Sequence, residues 1–345
     1  MLLLAIMFSQ KLIVLTNIFD MAKICLTTYI YGEEYQKYIP FLVYSCNKSY
    51  PEYDIKLFLH ERLHPEIQQQ LDLIGKNNLV ITENVYADCP KMNSLKAKSL
   101  RWVLYDDVFL DYDYLYIVDI DMIYIREPLP LHEQHVQHMS TTGLPYDNIA
   151  RHFYRHPFAI SSIGQRYKLA GFTAFFQYFF GTRDDFRVSG LHFIDVRQYF
   201  DVLSESMREK YRKMIYNGRF MRLCLSSNNE SFLYSILQKE GLKPDLLPVQ
   251  TESYIMLDFN NPTRAEFRPH HGIHLGIFSE DLQSKGKRKT ILDSSTYSYY
   301  IDHFKQDYLS DSLFVLLLNS SSDTIKIQFD NLFRYYKIPS CITKK

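Results

Sequence analysis

The sequence predicts an α/β fold in which a mixed, mainly parallel sheet is flanked by helices. Short apolar runs alternate with amphipathic segments through the first half of the chain, and no internal repeat or low-complexity linker divides it. Hydrophobic residues make up 46% of the sequence and charged residues 23%, which is typical of a packed globular protein. The 345 residues suit one large domain with additions, or two domains in close contact.

The first half of the chain predicts a regular alternation of strands and helices. Apolar runs bounded by polar residues predict strands at 24–28, 55–59, 79–82 and 115–118. Apolar residues at helical spacing predict the intervening helices at 33–45, 64–75 and 94–105. This order is typical of a parallel sheet covered on both faces, in which ligands bind beyond the carboxyl ends of the strands.

The second half of the chain is less regular. Further elements are predicted as a strand at 191–195, helices at 196–216 and 229–238, and a short strand at 245–249. The stretch 150–186, rich in histidine, arginine and aromatic residues, is either a lid over an acceptor or a packing insertion. Residues 260–278 are predicted to form a loop.

Two terminal segments stand apart from a predicted central domain at 21–280. Residues 1–20 are apolar but interrupted by polar residues, so they are either an extension ahead of a start at Met21 or a weak type II membrane anchor. Residues 281–345 are predicted to be a C-terminal extension that is helical in part. Its basic run at 285–289 could contact anionic lipid or be a solvated loop.

Composition argues against several classes of protein. The 39 Lys and Arg residues are balanced by 39 Asp and Glu residues, so no global basic excess is available to bind a nucleic-acid backbone. The five cysteines are odd in number and widely spaced, which argues against a disulfide framework and a zinc site. These features favour a reducing, cytoplasmic compartment, with peripheral membrane contact as a weaker expectation.

The most informative stretch is the apolar strand 115–118, which is followed directly by Asp119, Ile120 and Asp121. Two carboxylates so close together repel each other, and a divalent cation removes that cost. Carboxylate oxygens suit Mg²⁺ or Mn²⁺, which in turn bind diphosphate oxygens and stabilise a departing diphosphate. A second D-x-D pattern begins at Asp111 and is predicted to be a turn.

Several motifs occur in a fixed order between residues 23 and 278. They are the strand 25–29, the acid pair at 119–121, the Val-Ser-Gly-Leu segment 188–191, the Asn-Glu pair at 229–230 and the Ile-His-Leu-Gly segment 273–276. In this order they resemble the family 8 glycosyltransferases of the GT-A fold, which include glycogenin and bacterial lipopolysaccharide galactosyltransferases. The resemblance implies metal-dependent, retaining transfer of a hexose from UDP-glucose or UDP-galactose. The acceptor it implies is a glycan, a glycolipid or a protein-linked sugar.

The resemblance also implies roles for individual residues. It implies Mn²⁺ or Mg²⁺ ligands at Asp119, Asp121 and His274. His271, and after it His270, are competing candidates because they lie close to His274 in the sequence. It implies catalytic roles for Arg101, Asn229 and Glu230. The donor-binding residues it implies are Leu26, Thr28, Tyr29, Tyr35, Lys98, Arg101, Asp119, Ile120, Ser189, Gly190 and Gly276.

Some of these residues have simpler interpretations. Arg101 could form a surface ion pair, and Asn229 with Glu230 could simply cap a helix. Val188 stands where the family usually has Asn, and Asn229 where it usually has Asp. Because an amide is not a carboxylate nucleophile, we expect front-face attack assisted by the leaving phosphate.

Two other functions fit parts of the sequence. A chain that has lost activity would be a glycan-binding protein on the same fold. A nucleotidyltransferase would use a related sheet, but that class usually has a basic, glycine-rich loop after its first strand. Residues 27–34 contain one glycine and neither Lys nor Arg.

Overall fold

The fold is taken from a computed structural model. It describes residues 22–75, 78–148, 150–154, 184–219, 229–242, 247–250, 255–258, 271–279 and 292–342. The apolar extension 1–20, most of the candidate lid, His270 and the basic run 285–289 lie outside these residues.

The described residues contain twelve strands. They are β1 (Ile24–Ile30), β2 (Asp54–Leu59), β3 (Leu79–Thr82), β4 (Tyr114–Ile117), β5 (Met122–Tyr124), β6 (Tyr146–Asp147), β7 (Ala150–Tyr154), β8 (Asp184–Val188), β9 (His192–Asp195), β10 (Leu247–Gln250), β11 (Ile255–Asp258) and β12 (Gly272–His274).

They also contain eleven α-helices. These are α1 (Glu33–Gln36), α2 (Ile39–Ser49), α3 (Pro65–Ile74), α4 (Ser94–Leu100), α5 (Leu131–Thr142), α6 (Val196–Val202), α7 (Glu205–Tyr216), α8 (Asn229–Lys239), α9 (Ser295–His303), α10 (Ser312–Ser320) and α11 (Asp323–Tyr335).

The main sheet has six strands in the order β3-β2-β1-β4-β9-β6. The pairs among β3, β2, β1 and β4 are parallel, whereas β9 pairs antiparallel with both β4 and β6. Strands β10, β11, β7 and β8 form a second, four-stranded sheet. The predicted mixed, mainly parallel sheet flanked by helices is therefore confirmed.

Alternate residues of the central strands divide the core into two layers. On β1, Leu26 packs with α2 and the C-terminal helices, whereas Cys25 packs with α4, α7 and α8. On β4, Tyr116 faces the first layer, and Leu115 and Ile117 face the second. This alternation follows from the two-residue period of a strand, and it explains why β1 and nearly all of β4 are buried on both faces.

Two predicted helices are interrupted in the structure. The helix predicted at 33–45 is divided into α1 and α2, and Pro40 occupies the first turn of α2, where its missing N–H costs nothing. The helix predicted at 196–216 is divided into α6 and α7, with Ser204 before the second helix. The helix predicted at 94–105 ends at Leu100 and continues as a short 3₁₀ turn.

The C-terminal residues form three helices that pack on α2. The ring of Phe41 lies 5.9 Å from that of Phe314 and 5.5 Å from that of Phe329, measured between centroids. Tyr44 and Tyr308 are in similar edge-to-face contact. Part of the large Tyr and Phe content of the chain is thus used to join α2 to α9–α11. The predicted domain boundary near residue 280 stays a prediction.

No helix in the described ranges is both long enough and apolar enough to cross a bilayer.

A cluster of acids and histidines lies buried beside the main sheet. The buried histidine cluster comprises Glu127, His135, His138, Asp147 and His271. Asp147 lies 2.6 Å from the Nδ1 atoms of both His135 and His138, and Glu127 Oε2 lies 3.2 Å from His271 Nδ1. Tyr300 and Gln134 also donate to Glu127.

The surroundings of Glu127 fix its ionisation. Burial raises the pKa of this carboxyl, but the positive charge and hydrogen bond of His271, with the hydrogen bonds from Tyr300 and Gln134, outweigh it. The net result is a pKa of about 2, below the ordinary value of 4.5. Since the folded state holds this proton less tightly than the unfolded state, ionised Glu127 stabilises the fold at neutral pH.

This stabilisation is expected to disappear in acid. It is fully present above the unfolded pKa near 4.5 and is lost as the pH falls toward about 2. Over that interval, the free energy of unfolding should fall more steeply in the wild type than in Glu127→Gln, by on the order of 3 kcal/mol. Urea denaturation at a series of pH values measures both slopes.

The matched control for this prediction is Glu133→Gln, which changes a more exposed acid on α5, the helix that carries Gln134 and His135. It should keep the wild-type slope. Equal acid slopes for the wild type and Glu127→Gln would show that Glu127 does not make this contribution.

Candidate active site

The acid pair lies in the connection between β4 and β5. Val118 N donates to Thr27 O at 3.0 Å, so the parallel contact with β1 continues for one residue past β4. Asp119 and Asp121 follow immediately, and β5 begins at Met122. The carboxylates therefore lie at the carboxyl end of the central strands, beside the end of β1, where a parallel sheet places its ligands.

Asp121 is joined to His274 by a neighbouring strand pair. β12 pairs antiparallel with β5, with His274 opposite Met122, and Leu275 N donates to Asp121 O at 2.8 Å. This ladder brings His274 Nε2 to 3.0 Å from Asp121 Oδ2 although the residues are 153 positions apart. Both side chains remain partly accessible, at 19% for His274 and 17% for Asp121.

The two side chains differ in charge, and this sets the pKa of Asp121. Burial raises the pKa of this carboxyl, but the charge of His274 and its hydrogen bond lower it further than burial raises it. The net pKa lies below the ordinary value, so Asp121 is a carboxylate at neutral pH. It can therefore act as an oxygen ligand to a cation without first losing a proton.

Asp119 is paired with Arg101. Arg101 Nη1 lies 2.5 Å from Asp119 Oδ1, and it also donates to Val118 O at 3.2 Å. The guanidinium carbon is 4.2 Å from the ring centroid of Trp102. Only 7% of the Arg101 side chain is exposed, against 29% for Asp119. Arg101 is thus a buried partner of the acid pair, and not the surface ion pair considered from the sequence.

Two glycines leave room around the carboxylates. A Cβ atom on Gly190 would lie 2.7 Å from Asp119 Oδ2. A Cβ atom on Gly276 would overlap Asp121 Oδ2 and lie 3.2 Å from His274 Nε2. Neither glycine has a left-handed backbone, so the lack of a side chain is needed here for space and not for conformation.

These side chains border a cleft of about 250 Å³. Most residues predicted to form the site line it: Thr28, Tyr29, Tyr35, Lys98, Arg101, Asp119, Ile120, Asp121, Gly190, Asn229, Glu230 and His274. Leu26 and Ser189 are not among the lining residues, because Leu26 packs in the core and buried Ser189 accepts from Leu191 N at 3.3 Å. Gly276 lies behind the lining, against Asp121 and His274.

Four lining residues were not predicted from the sequence. They are Ile30, Tyr31, Ser94 and Ala97. Each is a near neighbour of a predicted residue, at the end of β1 or on the helix that precedes Arg101. For Ile30 and Tyr31, the signal that could have found them is the rule that the carboxyl end of β1 faces the ligand.

The aromatic residues near the end of β1 differ in availability. The hydroxyl of Tyr29 donates to Val85 O at 3.0 Å and is 3.0 Å from His60 Nδ1, and its ring is largely buried. Tyr35 is 39% exposed, and Lys98 Nζ lies 5.8 Å from its ring centroid. Tyr35 therefore offers the more open aromatic face at the mouth of the cleft.

Asn229 and Glu230 begin α8 at the edge of the cleft. The indole of Trp102 donates to Asn229 O at 3.1 Å, which ties the start of α8 to the turn that carries Arg101. Ser227 and Asn228, which could cap this helix, lie outside the described residues. The capping interpretation of Asn229 thus stays a prediction, as does its catalytic role.

The chemistry of these side chains fits a divalent cation. Two carboxylates and an imidazole form a donor set typical of Mn²⁺, and Gly190 and Gly276 keep free the space that a Cβ atom would fill. In the described part of the chain, however, no three His, Cys, Asp or Glu side chains are already arranged as a metal centre. Asp119 is held by Arg101, and Asp121 by His274.

Comparisons with known proteins match this chain through its fold. No protein-family model and no curated protein sequence matches it. The mannosyltransferase Ktr4p from S. cerevisiae is similar with a TM-score of 0.40 and 12% identity, over 62% of this chain and 66% of that chain, just under two thirds of its length. Core-mannan synthase A from Aspergillus fumigatus, in an Mn/GDP form, has a TM-score of 0.35 and 11% identity, over 61% and 69%. The glycosyltransferase GlyE of Streptococcus pneumoniae has a TM-score of 0.33 and 13% identity, over 64% and 44%.

The space beside Asp121 can be tested without any ligand. Gly276→Ala is expected to displace the Asp121 carboxylate and break its 3.0 Å contact with His274. Since the backbone is not strained, overpacking should cost only about 1–3 kcal/mol. The ¹⁵N shifts of the His274 ring report the contact, and urea unfolding reports the stability.

Ser279→Ala, an exposed change in the same 3₁₀ turn, is the control and should leave the His274 shifts unchanged. Wild-type shifts in Gly276→Ala would mean that the glycine is not needed for this contact.

Proposed function

We propose that this protein is a metal-dependent glycosyltransferase that moves a hexose from UDP-glucose or UDP-galactose to a glycan, glycolipid or protein-linked acceptor, with retention of configuration. One observation carries the proposal. Asp119 and Asp121, at the carboxyl end of the central strands, share a single cleft with His274, Arg101 and the start of α8.

Asp119, Asp121 and His274 would hold Mn²⁺, or Mg²⁺. When bound, the cation supplies Lewis-acid stabilisation of the departing nucleoside diphosphate. Asp121 is already ionised, and Gly190 and Gly276 leave space beside Asp119 and Asp121, respectively. The protein's own contribution is to hold these ligands in place through the short strands β5 and β12.

Two cationic side chains complement the anionic donor. Arg101 presents its guanidinium beside Asp119, and Lys98 lies one helical turn earlier at the mouth of the cleft. Charge-assisted hydrogen bonds from such groups are stronger than neutral ones, and they act on a diphosphate where its charge develops. The exposed ring of Tyr35 offers a flat surface on which the uracil base can stack.

The start of α8 sits where the sugar would be bound. Asn229 and Glu230 line the cleft together with Asp119 and Gly190. An amide at 229 orients sugar hydroxyls but does not act as a covalent nucleophile, so retention is assigned to front-face attack assisted by the leaving phosphate. In this scheme Asn229 and Glu230 orient the donor sugar and the acceptor.

The proposal is tested first by binding. UDP with Mn²⁺ is expected to raise the melting temperature by more than either alone, because ligands that bind only the folded state stabilise it by about 2.7 kcal/mol at a hundredfold excess over Kd. Asp121→Asn should abolish the metal-dependent part. Asp111→Asn, from the second D-x-D pattern in an exposed turn, is the control and should keep it.

The absence of any Mn²⁺-dependent shift would contradict the proposed donor site. A shift with GDP but not with UDP would replace the nucleotide and leave the metal-dependent transferase in place.

Activity separates a transferase from a silent glycan-binding protein. Hydrolysis of UDP-glucose or UDP-galactose is expected in the presence of Mn²⁺ and should be lost in Asp121→Ala but retained in Asp111→Asn. Binding without turnover on any UDP-sugar would favour the binding protein.

A further inference from the structure

His271 has an unusual backbone for its residue type. It has a φ of 54°, in the left-handed region, and is followed by Gly272 with a φ of 155°. A side chain in this region is energetically costly, and such a conformation persists only where the surroundings determine it. A Cβ atom on Gly272 would overlap the carbonyl of Ile123, so the two strands approach closely at this point. The turn before β12 is therefore strained and held in place.

The side chain of His271 shows what holds the turn. Its side chain is 0% exposed, and its Nε2 lies 3.0 Å from His135 Nε2. Its Nδ1 lies 3.2 Å from Glu127 Oε2. His135 in turn stacks on Phe193 of β9, with ring centroids 4.6 Å apart. These contacts connect the start of β12 through α5 to the main sheet.

The contacts run from Asp147 through His135 and His271 to Glu127, so an acid that accepts hydrogen bonds lies at each end. A carboxylate oxygen of Asp147 lies 2.6 Å from His135 Nδ1, and Glu127, with its low pKa, accepts from His271 Nδ1. The contact between the two Nε2 atoms needs one further proton. The two ring nitrogens of His271 thus bridge Glu127 and His135.

The strand that follows is too short to fix its own position. β12 has three residues, and its ladder with β5 runs from Ile125 N, which donates to His271 O at 3.0 Å, to Leu275 N, which donates to Asp121 O at 2.8 Å. A slip of one residue would turn His274 to the opposite face. One end of this ladder is His271, and the other end carries His274.

We propose that His271 is a positioning residue whose buried ring, held between Glu127 and His135, fixes the register of β12 and thereby holds His274 beside Asp121. The consequence of this role for catalysis rests on the proposed function. The effect of His271 on β12 does not, since it is expected in the metal-free protein as well. His271 does not compete with His274 as a ligand, because both of its ring nitrogens face the buried histidine cluster.

The test compares amide hydrogen exchange at two positions in the metal-free protein. Leu275 N–H reports the end of β12 beside Asp121, and Val118 N–H, which donates to Thr27 O, reports the main sheet. His271→Gly permits the left-handed backbone but removes both side-chain contacts. We expect it to accelerate exchange at Leu275 at least tenfold more than at Val118.

Two further variants keep this test decisive. His271→Asn tolerates the left-handed backbone and keeps a donor toward Glu127, so it should give a smaller selective increase at Leu275. His132→Gln changes another buried histidine of α5, whose Nδ1 lies 2.7 Å from the Tyr53 hydroxyl, and should change both amides by the same factor. If His271→Asn shows no selective increase at Leu275, the proposal is overturned, whether or not His271→Gly folds.

Mn²⁺ binding gives a separate measurement. By electron paramagnetic resonance, His271→Gly is expected to bind Mn²⁺ 10–100-fold more weakly than the wild type, the range typical for residues that orient a metal ligand. Unchanged affinity would overturn the link from β12 to His274. A wild type that binds no Mn²⁺ would refute the proposed function, whereas selective exchange at Leu275 would still support the role of His271 in the strand register.

Discussion

The site depends on the compensation of two like charges at the end of β4. Asp119 and Asp121 are separated by one residue, so the chain cannot move them apart. Arg101 compensates Asp119 from the turn after α4, and His274 compensates Asp121 from β12. Because a partly buried carboxylate without such a partner is costly, the positions of α4 and β12 are tied to this acid pair.

The C-terminal helices take part in this arrangement without lining the cleft. Asn331 of α11 donates to Phe278 O at 2.8 Å, and so holds the turn that follows His274. Gln328, one turn earlier, donates to the hydroxyl of Tyr38 at 2.8 Å, between α1 and α2. The helix α11 therefore joins the turn that follows His274 to the segment between α1 and α2.

The main sheet could be predicted because each of its parallel strands is a short, mainly apolar run bounded by polar residues. β5 and β12 could not, since three residues give no period and their contact joins residues 153 positions apart. Leu26 and Thr28 show another limit. They share one face of β1, yet Leu26 packs in the core and Thr28 lines the cleft, because spacing predicts the face of a strand but not the depth along it.

The two ends of β12 lie in different environments, which is consistent with the different roles proposed for His271 and His274. His271 exposes no side-chain surface, and its ring nitrogens face groups that are fixed by packing. His274 keeps 19% of its side chain exposed and faces the cleft through Asp121. A metal ligand must be able to give up its contact with a protein group in order to bind the metal, whereas a positioning residue must keep its contacts. β12 is only three residues long, so the buried histidine cluster that holds His271 at one end also fixes the position of His274 at the other end.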